Sequence, residues 1–380
     1  MRTDERIVML PPFRVTRRVQ MLAETKDYNH RLMNVPEIWK DSRGEGIKVA
    51  ILDSGVPEHV DLAPVGGKSF IDGYYTDANG HSTHCGGIVA ALCDNGMGVC
   101  GIAPAVDDWY GAVLDGNGSG SIDSVVAGIR WAVDEVGADI ISMSLGIAIP
   151  FPIRQLEDAC NYAVEHGVAV IAAAGNEAGK VGQPGMYDSV ITVAAVNSKQ
   201  QHAAFSNTGK EVDFATGGVD VYSTYLNNSY AVLSGTSMST PAIAAIAALI
   251  LAKHLKAGKK LTPEELRQHI KRIAYDVGGD GFDELYGHGI PIFRPGWDAE
   301  DGTPLPDPVI TPPSGGGLFH KSSMGPAAGC QYWDLWTDFI GTVDGELAHK
   351  QDLQAALAEG IRRLARRTEL VDRALRQKGT

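Results

Sequence analysis

From Gly46 onward, short apolar runs alternate with longer segments whose apolar residues recur every three or four positions. Ile47–Leu52 is the first such run, and similar ones follow at 139–144, 168–172 and 190–194. Runs of this length without polar alternation predict strands buried on both faces. Between them, 122–136 predicts a helix. A second covers 153–166, where Leu156, Ala159, Cys160, Ala163 and Val164 form one stripe and Gly167 stands at the cap position. Pro241–Leu251 is apolar on every side and predicts a helix through the core. Lys253 ends this run short of the roughly 18–20 residues a membrane span needs. Thr262-Pro263-Glu264-Glu265 is a capping box opening another helix. Strand–helix alternation predicts an α/β fold, a mostly parallel sheet flanked by helices in three layers. Chemistry in such sheets gathers at the carboxyl ends of the strands.

The two ends of the chain depart from this texture. Residues 1–40 show little periodicity and read as an N-terminal extension, with the main domain at 41–296. Pro304, Pro306, Pro308, Pro312, Pro313 and Gly315–Gly317 mark a linker over 297–328. Residues 329–380 read as an α-helical C-terminal appendage. Trp333, Trp336, Phe339 and Ile340 share one face and Leu353, Leu357, Ile361, Leu364 and Val371 another, so the tail is expected to pack on the body or across a homo-oligomer.

Composition narrows the function. Apolar residues make up 44% of 380, enough for a sizeable core. A net charge of −13 weighs against a nucleic-acid-binding body. The last twenty residues are basic, with seven Arg and Lys against two Asp and Glu, and suit docking on the acidic body, a membrane or a partner. Five cysteines, an odd number, do not suggest a disulfide framework, and the N-terminus carries no apolar signal core. The expected location is cytoplasmic.

Three segments carry candidate chemistry. Asp53-Ser54-Gly55 directly follows the first buried run, His81-Ser82-Thr83-His84 opens a short helical stretch, and Ser237 stands at the mouth of the apolar helix. A serine hydroxyl needs an imidazole to take its proton, and the imidazole needs a carboxylate to fix its tautomer. A tetrahedral intermediate also needs donors, and Asn176 ends another apolar run. His81 and His84 also allow a metal reading, and Gly116–Gly120 a dinucleotide reading, but Gly120 is one residue off the required spacing.

These blocks resemble the subtilisin-like serine peptidases, in style the intracellular subtilisins. Asp53-Ser54-Gly55, His81 to His84, Ser144-Leu145-Gly146, Ala174-Gly175-Asn176 and Gly235 to Pro241 occur in that family's order, with Gly287-His288-Gly289 as a further landmark. The resemblance covers residues 35 to about 292. It implies a serine endopeptidase with Asp53, His81 and Ser237 as triad and Asn176 as oxyanion donor. Gly118-Ser119-Gly120 and Ser144-Leu145-Gly146 would flank an extended peptide or protein substrate. Ala173, Ala174 and Gly175 would line its first pocket, with Glu177 at the rim. The alternative is a catalytically silent peptide-binding scaffold.

Further expectations follow from the resemblance. Catalysis needs no cofactor, while Asp61, Asp94 and Asn95 are candidate ligands of a structural calcium. Cys93 and Cys100 bracket that loop; two thiols, in keeping with a cytoplasmic setting, are the preferred reading and a disulfide between them the alternative. Ser82 replaces the usual glycine, and Cys85 puts a thiol near the histidine. Met9, Leu10, Pro11, Pro12 and Phe13 resemble an inhibitory element that lies across the active site. Met9 and Leu10 are expected to fill its pockets.

Overall fold

The computed structural model describes residues 7–19, 23–148, 151–299 and 305–308. The chain divides into two units, Met1–Pro308 and Val309–Thr380, and every described residue belongs to the first. The helical tail read at 329–380 lies outside the described residues, as does most of the linker.

In chain order, strands β1 (Ile7–Met9) and β2 (Arg14–Val19) precede two short helices, α1 (Tyr28–Leu32) and α2 (Val35–Ile38). Then come β3 (Lys48–Asp53), β4 (Gly66–Ser69), α3 (His81–Ala90), β5 (Asp107–Ala112), β6 (Ser119–Ser121) and α4 (Ile122–Trp131). The second half runs β7 (Ile140–Met143), α5 (Arg154–Glu165), β8 (Ala169–Ala173), β9 (Val190–Val196) and β10 (Phe214–Gly217). A hairpin of β11 (Val221–Tyr225) and β12 (Ser229–Ser234) leads into α6 (Thr236–Lys256), followed by α7 (Pro263–Ile273).

Seven strands form one sheet in the order β10-β9-β8-β7-β3-β5-β4, and every neighbouring pair is parallel. Alternation along β3 explains its unbroken apolar run. Val49 and Ile51 pack beneath α3, α6 and α7, with Val89, Ile246, Ile250 and Ile270. Ala50 and Leu52 face the other way, toward Val125 and Ile129 of α4 and Leu156 of α5. The three expected layers are present. α6 is long and apolar enough to cross a membrane, and here it is the buried axis of one layer.

The four predicted strands correspond to β3, β7, β8 and β9, while β4, β5 and β10 carry weaker signals. β5 opens on two aspartates, and Asp108 is buried because the Tyr110 hydroxyl donates to it at 2.8 Å. Residues 28–38, read as part of an extension, belong to the core. Tyr28, Met33, Val35 and Ile38 are buried, and Asn29 Nδ2 donates to Gly217 O at 3.1 Å. Helices of five and four residues are too short to show a period.

β3 is flanked by β5 on one side and β7 on the other, and the chain order reverses there. The crevice of such a sheet opens at the carboxyl end of that strand, where Asp53 lies. α3 enters this crevice by close approach. A Cβ at Gly86 would collide with the Tyr110 hydroxyl, and one at Gly87 with Thr224 and Ser223 of β11. Gly87→Val is therefore expected to destabilise the protein by about 1–3 kcal/mol, read as a lowered midpoint in thermal unfolding.

Candidate active site

Asp53 closes β3 and His81 opens α3, and both are fully buried. His81 Nδ1 lies 2.9 Å from each carboxylate oxygen of Asp53, and Ser54 N donates to Asp53 Oδ1 at 2.7 Å. Burial pushes the His81 pKa down, but the adjacent Asp53 carboxylate outweighs it and holds the imidazole well above its usual 6.5. The start of α3 is capped from upstream. Asp77 Oδ1 accepts from Asn79 N at 3.0 Å and Gly80 N at 2.9 Å; Oδ2 accepts from Thr83 N at 2.8 Å and Thr83 Oγ1 at 2.6 Å. Ser54 Oγ donates to the same Asp77 at 3.0 Å, which ties the strand end carrying Asp53 to the helix start carrying His81. An aspartate four residues before His81 is a helix-start signal that the sequence offered and the motif reading passed over.

Ser237 lies in the first turn of α6, fully buried. Pro241 stands four residues on and has no N–H, so the Ser237 carbonyl loses its helical donor. Ser144 Oγ donates to it instead at 2.8 Å, and the Cys85 thiol approaches at 3.5 Å. The Cys85 sulfur is also 3.8 Å from His81 Nδ1, and burial raises its pKa. The Ser237 hydroxyl donates to the Ser144 carbonyl at 3.3 Å, and among the described residues His81 Nε2 has no hydrogen-bond partner. His84, its neighbour on α3, bonds Val221 O and Ala231 O through Nε2 at 3.1 Å each. Burial, with the charge of His81, pushes its pKa down to about 3.

Asn176 follows β8. Its Oδ1 accepts from Thr236 N and Thr236 Oγ1, both at 2.8 Å, which fixes the amide so that Nδ2 points outward. That Nδ2 donates to Pro12 O at 2.9 Å. Ser237 N, in the first turn of a helix, belongs to the amides without an intrahelical acceptor. Thr236 was not singled out in the sequence, since nothing local marks it as the partner of a residue sixty positions away. Glu177 is exposed, and its Oε2 accepts from Asn176 N at 3.0 Å and Asn207 Nδ2 at 2.7 Å. Ala173, Ala174 and Gly175 are buried beside Asn176.

The segment that reaches Asn176 is the chain's own N-terminus. β1 pairs antiparallel with β6, Val8 facing Gly120 and Met9 facing Ser119. Leu10 N continues the β6 side by donating to Gly118 O at 3.0 Å, and on the other edge Met9 and Gly146 exchange bonds of 3.0 and 2.9 Å. The segments 118–120 and 144–146 thus flank one extended peptide. In an antiparallel ladder the next exchange falls two residues on and two back, at positions 11 and 144. Position 11 is proline, without an N–H, and Ser144 O accepts the Ser237 hydroxyl instead. Phe13 packs its ring 4.9 Å from that of His81. The expectation for Met9 needs correction: Met9 is 53% exposed, whereas Val8 and Pro11 are buried and Leu10 half-buried. Strand alternation turns Val8 and Leu10 inward together and Met9 out.

Residues 44–289 match the subtilase family. The chain is 42% identical over 277 residues to subtilisin DY of Bacillus licheniformis, covering 97% of that protein and 70% of this one. It is 41% identical over 278 residues to the minor extracellular protease Epr of Bacillus subtilis, 71% of this chain but only 41% of that longer protein. With subtilisin Savinase of Lederbergia lenta it shares 40% over 250 residues, 65% of this chain and 89% of the relative.

The three residues read as calcium ligands do not converge. Asp94 turns to Arg43, its Oδ2 at 2.8 Å from the guanidinium. Asp61 is buried and already satisfied, accepting from Asn95 Nδ2 at 2.6 Å, Val99 N at 3.0 Å and Tyr230 OH at 3.2 Å. Its burial raises its pKa to about 6. These donors do not fit a calcium ion, which seeks several free oxygens at once. The loop is held otherwise. Cys93 and Cys100, read as thiols, form a disulfide, and Glu24 Oε2 accepts from Asn95 N at 2.8 Å and Gly96 N at 3.1 Å. Closing so short a loop contributes about 2–3 kcal/mol. A reductant is therefore expected to lower the thermal midpoint, whereas a calcium chelator leaves it unchanged.

Proposed function

The chain belongs to the subtilase family and is a serine endopeptidase, and on that premise we propose that Asp53, His81 and Ser237 form its triad, that Asn176 supplies the oxyanion donor, and that its N-terminal arm restrains it. The observation that carries the reading is the buried Asp53–His81 pair beside Ser237, with the Asn176 amide pinned by Thr236 and aimed at a peptide carbonyl. A scaffold without chemistry gains nothing from burying a carboxylate against an imidazole, and that alternative is not retained.

The reaction follows from these positions. Ser237 Oγ turns from Ser144 O to His81 Nε2, gives up its proton there and attacks the substrate carbonyl carbon. Asp53 keeps the Nδ1–H tautomer and stabilises the imidazolium. Asn176 Nδ2 and Ser237 N stabilise the oxyanion. The C–N bond breaks as His81 returns the proton to the leaving amine, and water repeats the sequence on the acyl-enzyme. Substrates are peptides or proteins bound as an added strand between 118–120 and 144–146.

The arm occupies that place in the substrate's own direction. It resists cleavage for a physical reason. Pro11 offers no N–H to Ser144 O, so that carbonyl keeps the Ser237 hydroxyl away from His81. Pro11 and Pro12 each fix φ, which limits how the chain can shift between the Met9 anchor and the Asn176 amide.

Ser237→Ala is expected to remain folded and to lose nearly all turnover. Asn176→Ala is expected to lower kcat by about 10²–10³ with KM little changed, the size of effect known for the matching asparagine of subtilisin. Steady-state kinetics on a chromogenic peptide check both, and an effect on KM alone would make Asn176 a binding residue.

Val8→Asp in the full chain puts a carboxylate where an apolar side chain is buried. It is expected to raise turnover of a short chromogenic peptide about tenfold or more, given the burial lost. A synthetic peptide of residues 7–19 should reverse the gain, and unchanged turnover would overturn the restraint.

A further inference from the structure

We propose that the edge of β12 from Tyr230 to Ser234 is a strand-addition site for the leaving-group side of a polypeptide substrate, one that favours basic residues. The inference rests on the arm standing where substrate binds. Past Pro12, whose carbonyl meets Asn176, only Phe13 intervenes before the arm becomes β2. β2 pairs antiparallel with β12, Arg14 against Ser234, Val15 against Leu233, Arg17 against Val232, Arg18 against Ala231 and Val19 against Tyr230. The cleft and this edge are one continuous track, and a substrate running in the arm's direction would enter it directly after the bond to be cut.

The two partners in this ladder are unequal. Tyr230, Ala231, Val232 and Leu233 are fully buried and make β12 a rigid template. β2 is exposed from Arg14 to Arg18, so little apolar burial holds it. It is held by the main-chain ladder, by Thr16 Oγ1 donating to Val232 O at 3.0 Å, and by Arg18 over the Tyr225 ring at 5.2 Å. A strand bound mainly through its backbone can be replaced by another of different sequence. Without β2, β12 would present an unpaired edge, and sheet edges recruit strands. The charge class comes from the surroundings: Asp220 stands 3.5 Å from Thr16, Tyr225 offers its ring face, and the present occupant carries Arg14, Arg17 and Arg18.

The test uses the full-length protein with Val8→Asp, Thr16→Pro and Arg18→Pro, which frees both parts of the arm. Internally quenched peptides share one sequence before the cleaved bond and carry two or six residues after it, the six-residue versions with either Arg or Glu at the second and fifth positions. The expected result is about tenfold higher kcat/KM for the six-residue Arg peptide than for the two-residue one. The Glu version should fall between them, and the parent protein with its arm seated should show no such gain. Equal kcat/KM for two and six residues in the freed enzyme overturns the site while leaving the arm reading intact. Equal values for Arg and Glu overturn the charge preference. Failure of the triple variant to gain activity even on the two-residue peptide overturns the arm reading, and this inference with it.

Discussion

Everything around the site answers to one demand, the full burial of a carboxylate against an imidazole. Removing one partner of such a pair typically costs about 3–5 kcal/mol, so both must be delivered to the same point by rigid elements. β3 supplies Asp53 from the middle of the parallel sheet, and α3 supplies His81 from its first turn. Asp77 joins the two by capping the helix while accepting from Ser54. Ser82, noted in the sequence as a departure from the resemblance, fits the same scheme, since its Oγ donates to Gly55 O at 2.6 Å and its N to Ser54 Oγ at 3.2 Å. The departure adds a tie between strand end and helix.

A second set of bonds holds Ser237, and a proline creates it. Pro241 inside α6 leaves the Ser237 carbonyl without its helical donor, and the Ser144 hydroxyl takes the vacancy. The return bond, from the Ser237 hydroxyl to the Ser144 carbonyl, makes the two serines reciprocal partners across the cleft floor. A bound peptide with an N–H opposite Ser144 would compete for that carbonyl. In the proposed mechanism, the strand that positions a substrate would thus also govern where the Ser237 proton points.

The sequence revealed the residues that sit beside unbroken apolar runs. Asp53, Asn176 and Ser237 each lie at the end of a buried element, where a polar residue stands out. It hid the bonds that cross the fold: Thr236 holding Asn176, the second bond of Asp77 to Ser54, and the bonds Ser144 makes through its hydroxyl and its carbonyl. Parity was hidden for the same reason. Without knowing that Met9 pairs with Gly146, nothing says that Met9 faces out and Val8 in. Loop chemistry failed differently. Asp94 has a ligand's composition, but its direction is set by Arg43, fifty-one residues away.

The arm begins from a fixed point. Thr25 bonds Gly98 and Cys100 through its backbone, and Glu24 caps the turn at Asn95 and Gly96. A segment tethered so near its own site acts at an effective concentration of order millimolar, whatever the dilution of the protein. Under the proposed restraint, a substrate present at about 1 μM must therefore bind roughly 10³-fold more tightly than the arm to hold the cleft half the time. Under the same proposal, one cut between Val19 and Glu24 would end that advantage while sparing the pairing of β1 and β2, because the released arm would then compete at its bulk concentration.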